Sequence, residues 1–402
     1  MKKIAVVLCM FLLIISSLAT YIQATETTNV DAEPVSSDFV EKNDYMVDTK
    51  ARVMETYGVK EIVTGSVTDR VQEVKIEIIE GDYIGEEFVT NYVLTYDIAG
   101  KIQAYELDVG DKVLVQLTED QDGNIVATVQ DVAREKYIIL MIFVFLLSIV
   151  LVCGKQGVKA IIGLVATIVI IYCVFIQGVF EGKDAIVYSI IATILTIAAT
   201  FIVIGGFNKK ILTAALGTLG GVLSAGIMAL IFNNLAKMTG ASEDAIQLSI
   251  NIASINFEFR DLLFSGIVIS ALGACMDVGM SIASSLDEIK MKNPEITWTE
   301  LFKSGMNIGR DTIGTMTNTL ILAYVGGSVS LILLFMASDL SVLEILNKET
   351  IAEQVISALA GSMGVVYTVP ITSFVYSILN KDQVIYKKVS DNKLNGKRSL
   401  KI

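Results

Sequence analysis

The hydrophobic pattern changes period twice along the chain. After a basic start, Met1 to Lys3, an uncharged apolar run extends from Ile4 to Leu18. This order of charge, apolar run and small residues marks an export signal over residues 1–24, either a signal peptide cleaved after Ala19 or Ala24, or an uncleaved signal anchor. Residues 25–47 are polar, contain Pro34, show little periodicity and predict a tether. The pattern then switches to period two. Residues 49–56, 71–79, 86–94, 112–118 and 125–132 alternate or are rich in β-branched side chains, and Gly81, Gly110 and Gly123 sit in the turns between them. Five strands follow from this. In about 80 residues they suit a small all-β barrel of OB-like type over residues 48–134.

From Tyr137 the strand period disappears and long apolar runs take over. They cover residues 137–153, 158–180, 185–207, 211–232, 262–286, 308–336 and 351–379. Each approaches or exceeds the roughly 20 residues that cross a bilayer, so the fold class is a mainly α membrane protein with about seven transmembrane helices over residues 137–380. Gly326-Gly327 is a candidate bend in the sixth. Residues 245–257 are apolar on one face but too short to span. The connections carrying Lys155 and Lys159, Lys209 and Lys210, and Lys290, Lys292 and Lys303 alternate with connections carrying Glu181 and Asp184, Glu243 and Asp244, and Asp339 and Glu344. The positive-inside rule then places the basic tail, residues 381–402, in the cytoplasm and the β domain outside the plasma membrane.

Composition narrows the function classes. With 402 residues and 53% apolar content, a single soluble domain is excluded. Residues 25–136 hold 25 acidic and 10 basic side chains, a balance of −15, against −12 for the whole chain. Such a surface argues against nucleic acid as a partner. The chain has no histidine, which removes His-ligated metals and Ser–His triads. Its four cysteines lie in apolar runs, without CxxC spacing. No cofactor, no metal and no enzymatic activity is expected, the bilayer is the partner that the composition demands, and nothing in the sequence defines a partner subunit or homo-oligomer.

Two apolar segments nevertheless carry charge. Asp277 lies in the fifth run and Arg310, Asp311, Thr315 and Asn318 in the sixth. Ionisable side chains at bilayer depth are functional candidates by default, so these five residues form the expected intramembrane polar site for a small solute or ion. The alternative is structural or sensory, with Asp277 and Arg310 forming an ion pair that locks two helices. An intramembrane hydrolase is disfavoured, because neither aspartate sits in a GxGD sequence and Arg310 beside Asp311 favours the ionised form. Gly266, Gly273, Gly279, Gly305, Gly309 and Gly314 have the small size used where membrane helices approach closely.

The same segments carry a resemblance. LGACMDVGMSIASS at 272–285, SGMNIGRDTIGTMTNTLILAY at 304–324 and GSMGVVYTVP at 361–370 closely resemble the YibE/F-like multi-pass membrane proteins of bacteria. The resemblance implies an exported β domain ahead of a membrane bundle in a bacterial cell membrane. It implies no reaction.

Overall fold

The computed structural model describes residues 47–64, 67–94, 105–119, 123–242, 258–338 and 340–381. The expected export signal, nearly all of the tether, the short apolar segment 245–257 and the basic tail beyond Lys381 lie outside these described residues. The chain divides after Ser148 into two compact units.

The first unit is a single antiparallel sheet of five strands, β1 (Val47–Thr64), β2 (Val67–Ile78), β3 (Glu87–Leu94), β4 (Lys112–Glu119) and β5 (Ile125–Val132), in the order β3-β2-β1-β4-β5. Its edge strands β3 and β5 come into contact, so the sheet curls into a nearly closed barrel. Alternation decides which side chains fill it: in β4, Val113, Val115 and Leu117 point inward. With Ala51, Val53, Val74, Ile76, Ile78 and Leu94 they form a core that excludes water almost completely. Each large apolar side chain so buried is worth about 1.5–3 kcal/mol. Two polar residues, Thr49 and Gln72, are buried with this core. Gln72 donates from Nε2 to the Leu107 carbonyl at 2.8 Å and accepts the Leu107 N–H at 2.7 Å, which fastens the segment before β4 across β2.

β1 is longer than its alternation predicts. The expected strand ends at Thr56, where the apolar period is lost, but the observed strand runs on to Thr64. Register shifts between Val53 and Glu55 and between Thr56 and Val59 absorb the break, with Gly58 at φ +88° inside the second. Such bulges bend a strand, which lets β1 pair with β2 along its length and with β4 at its start. Beyond β5, the Arg134 guanidinium 2.5 Å from Asp131, together with the Val132 N–H, holds the Asp131 carboxyl below its ordinary range.

The second unit is helical. Helix α1 (Glu135–Ile170) continues through a π-helical turn, Ile171–Ile176, into α2 (Gln177–Phe180); α3 (Ala185–Gly205), α4 (Lys209–Leu235), α5 (Phe259–Lys292), α6 (Trp298–Gly327), α7 (Val329–Ala337), α8 (Val342–Asn347) and α9 (Glu349–Leu379) follow. Helix α5 is central. It packs against α3, α4, α6 and α9, and α9 in turn packs against α4 and α6.

Among the described residues, five helical stretches are long and apolar enough to cross a membrane, or six when α6 and α7 are taken as one span bent by 54°. That bend falls at Ser328, one residue past the expected Gly326-Gly327. The difference from the expected seven lies in the first stretch, Glu135–Phe180, which counts here as one helix. Gly154 interrupts it with φ 56° and ψ −129°. A side chain at Gly157 would press on the carbonyl of Ile149, although residues eight apart in a straight helix are separated by about 12 Å. The chain therefore turns sharply at Gly154.

Candidate functional site

Helix α5 sorts its side chains by size and polarity. Ile267, Ala271, Cys275, Val278, Ile282 and Leu286 are buried against the bundle. Gly266, Ser270, Gly273, Asp277 and Ser281, spaced by three and four residues, form the opposite, exposed row. Helix α6 divides differently. Near its start, Leu301, Gly305 and Gly309 are buried, because α9 comes so close that a Cβ at Gly305 would collide with Ser373 and one at Gly309 with Val369. Further on, Arg310, Asp311, Gly314, Thr315, Asn318 and Thr319 are exposed.

The two helices run antiparallel, and one hydrogen bond sets their register: Tyr324 donates from its hydroxyl to Ser270 Oγ at 2.9 Å. Counting seven residues at a time from that bond brings Asp277 to the level of Thr317, and Ser284 to the level of Arg310. The Leu286 side chain beside Gly305 agrees with this count. Asp277 and Arg310 are therefore about one heptad apart, roughly 10 Å along the bundle. No ion pair joins them among the described residues. Arg310 instead donates to Asn307 Oδ1 at 3.4 Å, on its own helix.

The residues singled out in the sequence thus lie along an exposed face of α5 and α6, with Asp277 and Arg310 not paired. Among the described residues the carboxylates of Asp277 and Asp311 and the amide of Asn318 have no hydrogen-bond partner. Thr315 turns its hydroxyl back to the carbonyls of Asp311 and Thr312 at 3.2 and 3.1 Å, and Thr319 does the same to Thr315 at 2.9 Å. Such bonds use the hydroxyl protons and leave oxygen lone pairs outward. The Thr317 hydroxyl, level with Asp277, is buried and unsatisfied. The face presents the carboxylates of Asp277 and Asp311 and the guanidinium of Arg310 among hydroxyl and amide oxygens, and the oxygen acceptors around Asp277 suit a proton or a hard cation.

Among the described residues, three of the glycines expected to mediate helix packing, Gly279, Gly305 and Gly309, sit at close helix approaches. A Cβ at Gly266, Gly273 or Gly314 would meet nothing within 4 Å. Gly279 of α5 faces Thr218, and close packing is also carried by Gly217, Gly220 and Gly221 of α4, which face Thr372, Ile371 and Thr368 of α9. The α4 glycines were missed in the sequence, and the signal for them was the spacing in LGTLGG. Sequence reasoning also missed the buried hydroxyl ladder of α9. Thr368, Thr372 and Ser377 bond back to carbonyls four residues earlier at 2.7–2.8 Å, while Thr218 Oγ1 donates to the Cys275 carbonyl at 3.3 Å, behind Asp277.

Two clefts lie at the two ends of α5. One of about 280 Å³ includes Asp184, Glu258 and Asp261 beside Lys183, and one of about 680 Å³ gathers lysines around the end of the helix. Among the described residues no three His, Cys, Asp or Glu side chains converge as metal ligands.

No curated protein and no solved structure matches this chain. A model of the YibE/F-like proteins matches residues 141–382, which is more than half of the chain and takes in both charged segments and the open polar face. The chain belongs to the YibE/F-like family.

Proposed function

We propose that this membrane protein passes a small cation or a proton along a path lined by the open face of α5 and α6, with Asp277 as its charged site. The observation that carries this reading is that Asp277 is exposed on a helix long and apolar enough to cross a membrane, with no cation paired to it. A carboxylate at bilayer depth costs about 2.5–3.5 kcal/mol on insertion scales and persists where a partner, a proton or water meets it. Its expected partner within the chain is about one heptad away, which supports this reading over a helix-locking ion pair. Asn318 and Ser281 supply oxygen ligands near the same level.

In this reading Gly154 separates two spans, giving seven in all. The lysine-bearing ends of α4 and α5 lie in the cytoplasm, as the positive-inside rule requires. The nearly closed sheet is an OB-like spacer outside the membrane. The test is flux. The full chain reconstituted in vesicles should carry protons, Na⁺ or K⁺ down an imposed gradient faster than protein-free vesicles, and Asp277→Asn should lower that rate about tenfold or more. Native protein indistinguishable from empty vesicles for all these ions would contradict the proposal.

A further inference from the structure

Helix α4 opens with Lys209 and Lys210 and has no acidic residue in its first turn. This inverts the usual arrangement, because the first turn of a helix carries partial positive charge that favours an anion; here Asn208 Oδ1 accepts the Ile211 N–H at 2.9 Å and the remaining first-turn N–H groups have no side-chain cap. The same turn forms one wall of the 680 Å³ cleft, whose other walls are Lys290 and Asp287 of α5 and Asn380 after α9. Three lysines and one aspartate leave the cleft with excess positive charge.

The protein satisfies these charges only in part. Lys290 is 9% exposed and donates to the carbonyls of Pro294 and Ile296 at 3.0 and 3.3 Å. Lys209 donates to the Leu379 carbonyl at 3.0 Å. An ammonium carries three N–H groups, so each retains donors for the cleft. Among the described residues Lys210 makes no hydrogen bond, and none of the three lysines forms an ion pair. Asp287 meanwhile accepts the Tyr376 hydroxyl at 2.8 Å, which directs one carboxylate oxygen toward α9. Asp287 is thus the one carboxylate among the described residues of a cleft with three lysines, and the buried Lys290 gains most from an anion placed between them.

We infer that this cleft binds a phosphate-bearing anion, held by the ammonium groups of Lys209, Lys210 and Lys290 and by the first turn of α4. Two sources share that chemistry: the head group of an acidic membrane lipid, and a soluble phosphate compound. The cleft volume lies within the ordinary range for ligand sites, about 300–1,000 Å³. The position at the ends of α4, α5 and α9 is the height at which lipid phosphates meet a spanning bundle. The site is separate from Asp277 and does not depend on the permeation reading.

The experiment uses the purified full chain and two probes. Binding is measured by native mass spectrometry and by thermal shift, first with phosphatidylglycerol against phosphatidylcholine, then with inorganic phosphate in detergent without lipid. Lys210→Gln, which breaks no bond in the fold, should weaken the anionic probe about fivefold, and the double variant Lys209→Gln/Lys210→Gln roughly thirtyfold. Lys292→Gln, outside the cleft and paired with Glu288, serves as a control that should bind as the native chain does. Lysine-dependent retention of phosphatidylglycerol alone assigns a lipid site, and lysine-dependent binding of inorganic phosphate assigns a soluble ligand. Native protein that binds neither probe, or variants that bind both as the native chain does, would overturn the inference.

Discussion

Asp277 shows most clearly what a residue-level reading gets right and wrong. Its chemistry was legible from one carboxylate in a small, apolar sequence. Its partner was not, because pairing depends on the register between two helices and therefore on the Tyr324–Ser270 bond, which no local pattern encodes. The absence of an Asp277–Arg310 pair leads to a prediction: Arg310→Ala should leave the amount of protein in the membrane close to that of Asp277→Asn, as judged by quantitative immunoblotting. A large loss confined to Arg310→Ala would restore the ion pair. Glycines separate in the same way. Gly221→Ala would drive a methyl into Thr368 and should cost about 1–3 kcal/mol, read as a lower melting temperature in detergent. Gly273→Ala meets nothing and should be neutral or slightly stabilising, since alanine favours a helix by up to about 1 kcal/mol over glycine. Both glycines looked alike in the sequence; only the neighbouring helix distinguishes them.

At the scale of elements, type and position were largely encoded and continuity was not. Period-two alternation located all five strands, because one face of each is covered and the other is open. It cut β1 short because a bulge breaks the alternation without breaking the strand. The same strands carry a pH prediction. Asp131 has its carboxyl lowered by Arg134, so the pairing stabilises the fold above the ordinary aspartate range and is lost as pH falls through the depressed value. Both partners are about half exposed, so the effect is a small surface one that salt screens. Asp131→Asn should speed hydrogen exchange in β5 modestly at neutral pH and leave it unchanged in strong acid. In the helical unit, Gly154→Ala should destabilise by about 1–3 kcal/mol, because the φ of 56° with ψ of −129° suits glycine alone. An unchanged melting temperature would mean that the turn at this position is not needed.

At the scale of the whole molecule, the charged residues of α5 and α6 form an open polar face on a unit otherwise covered in apolar side chains, while lysines and carboxylates collect in clefts at the two ends of α5. Composition and loop charge made the membrane character legible. The division of the first helical stretch did not follow from hydropathy alone, because a glycine turn and a straight continuation have the same apolar content. Reporter fusions placed after Lys155 and after Lys183 should report opposite sides of the membrane if Gly154 separates two spans. The central claim is that water reaches Asp277. In a chain with all four native cysteines replaced, Asp277→Cys should react with a small membrane-impermeant thiol reagent, as should Lys183→Cys in the connection before α3, while Leu223→Cys on the apolar outer face of α4 should not. Labelling at 277 and at 183 without labelling at 223 is the predicted result. A folded protein labelled at 183 and silent at 277 would mean that the face is covered or dry, and would contradict the account.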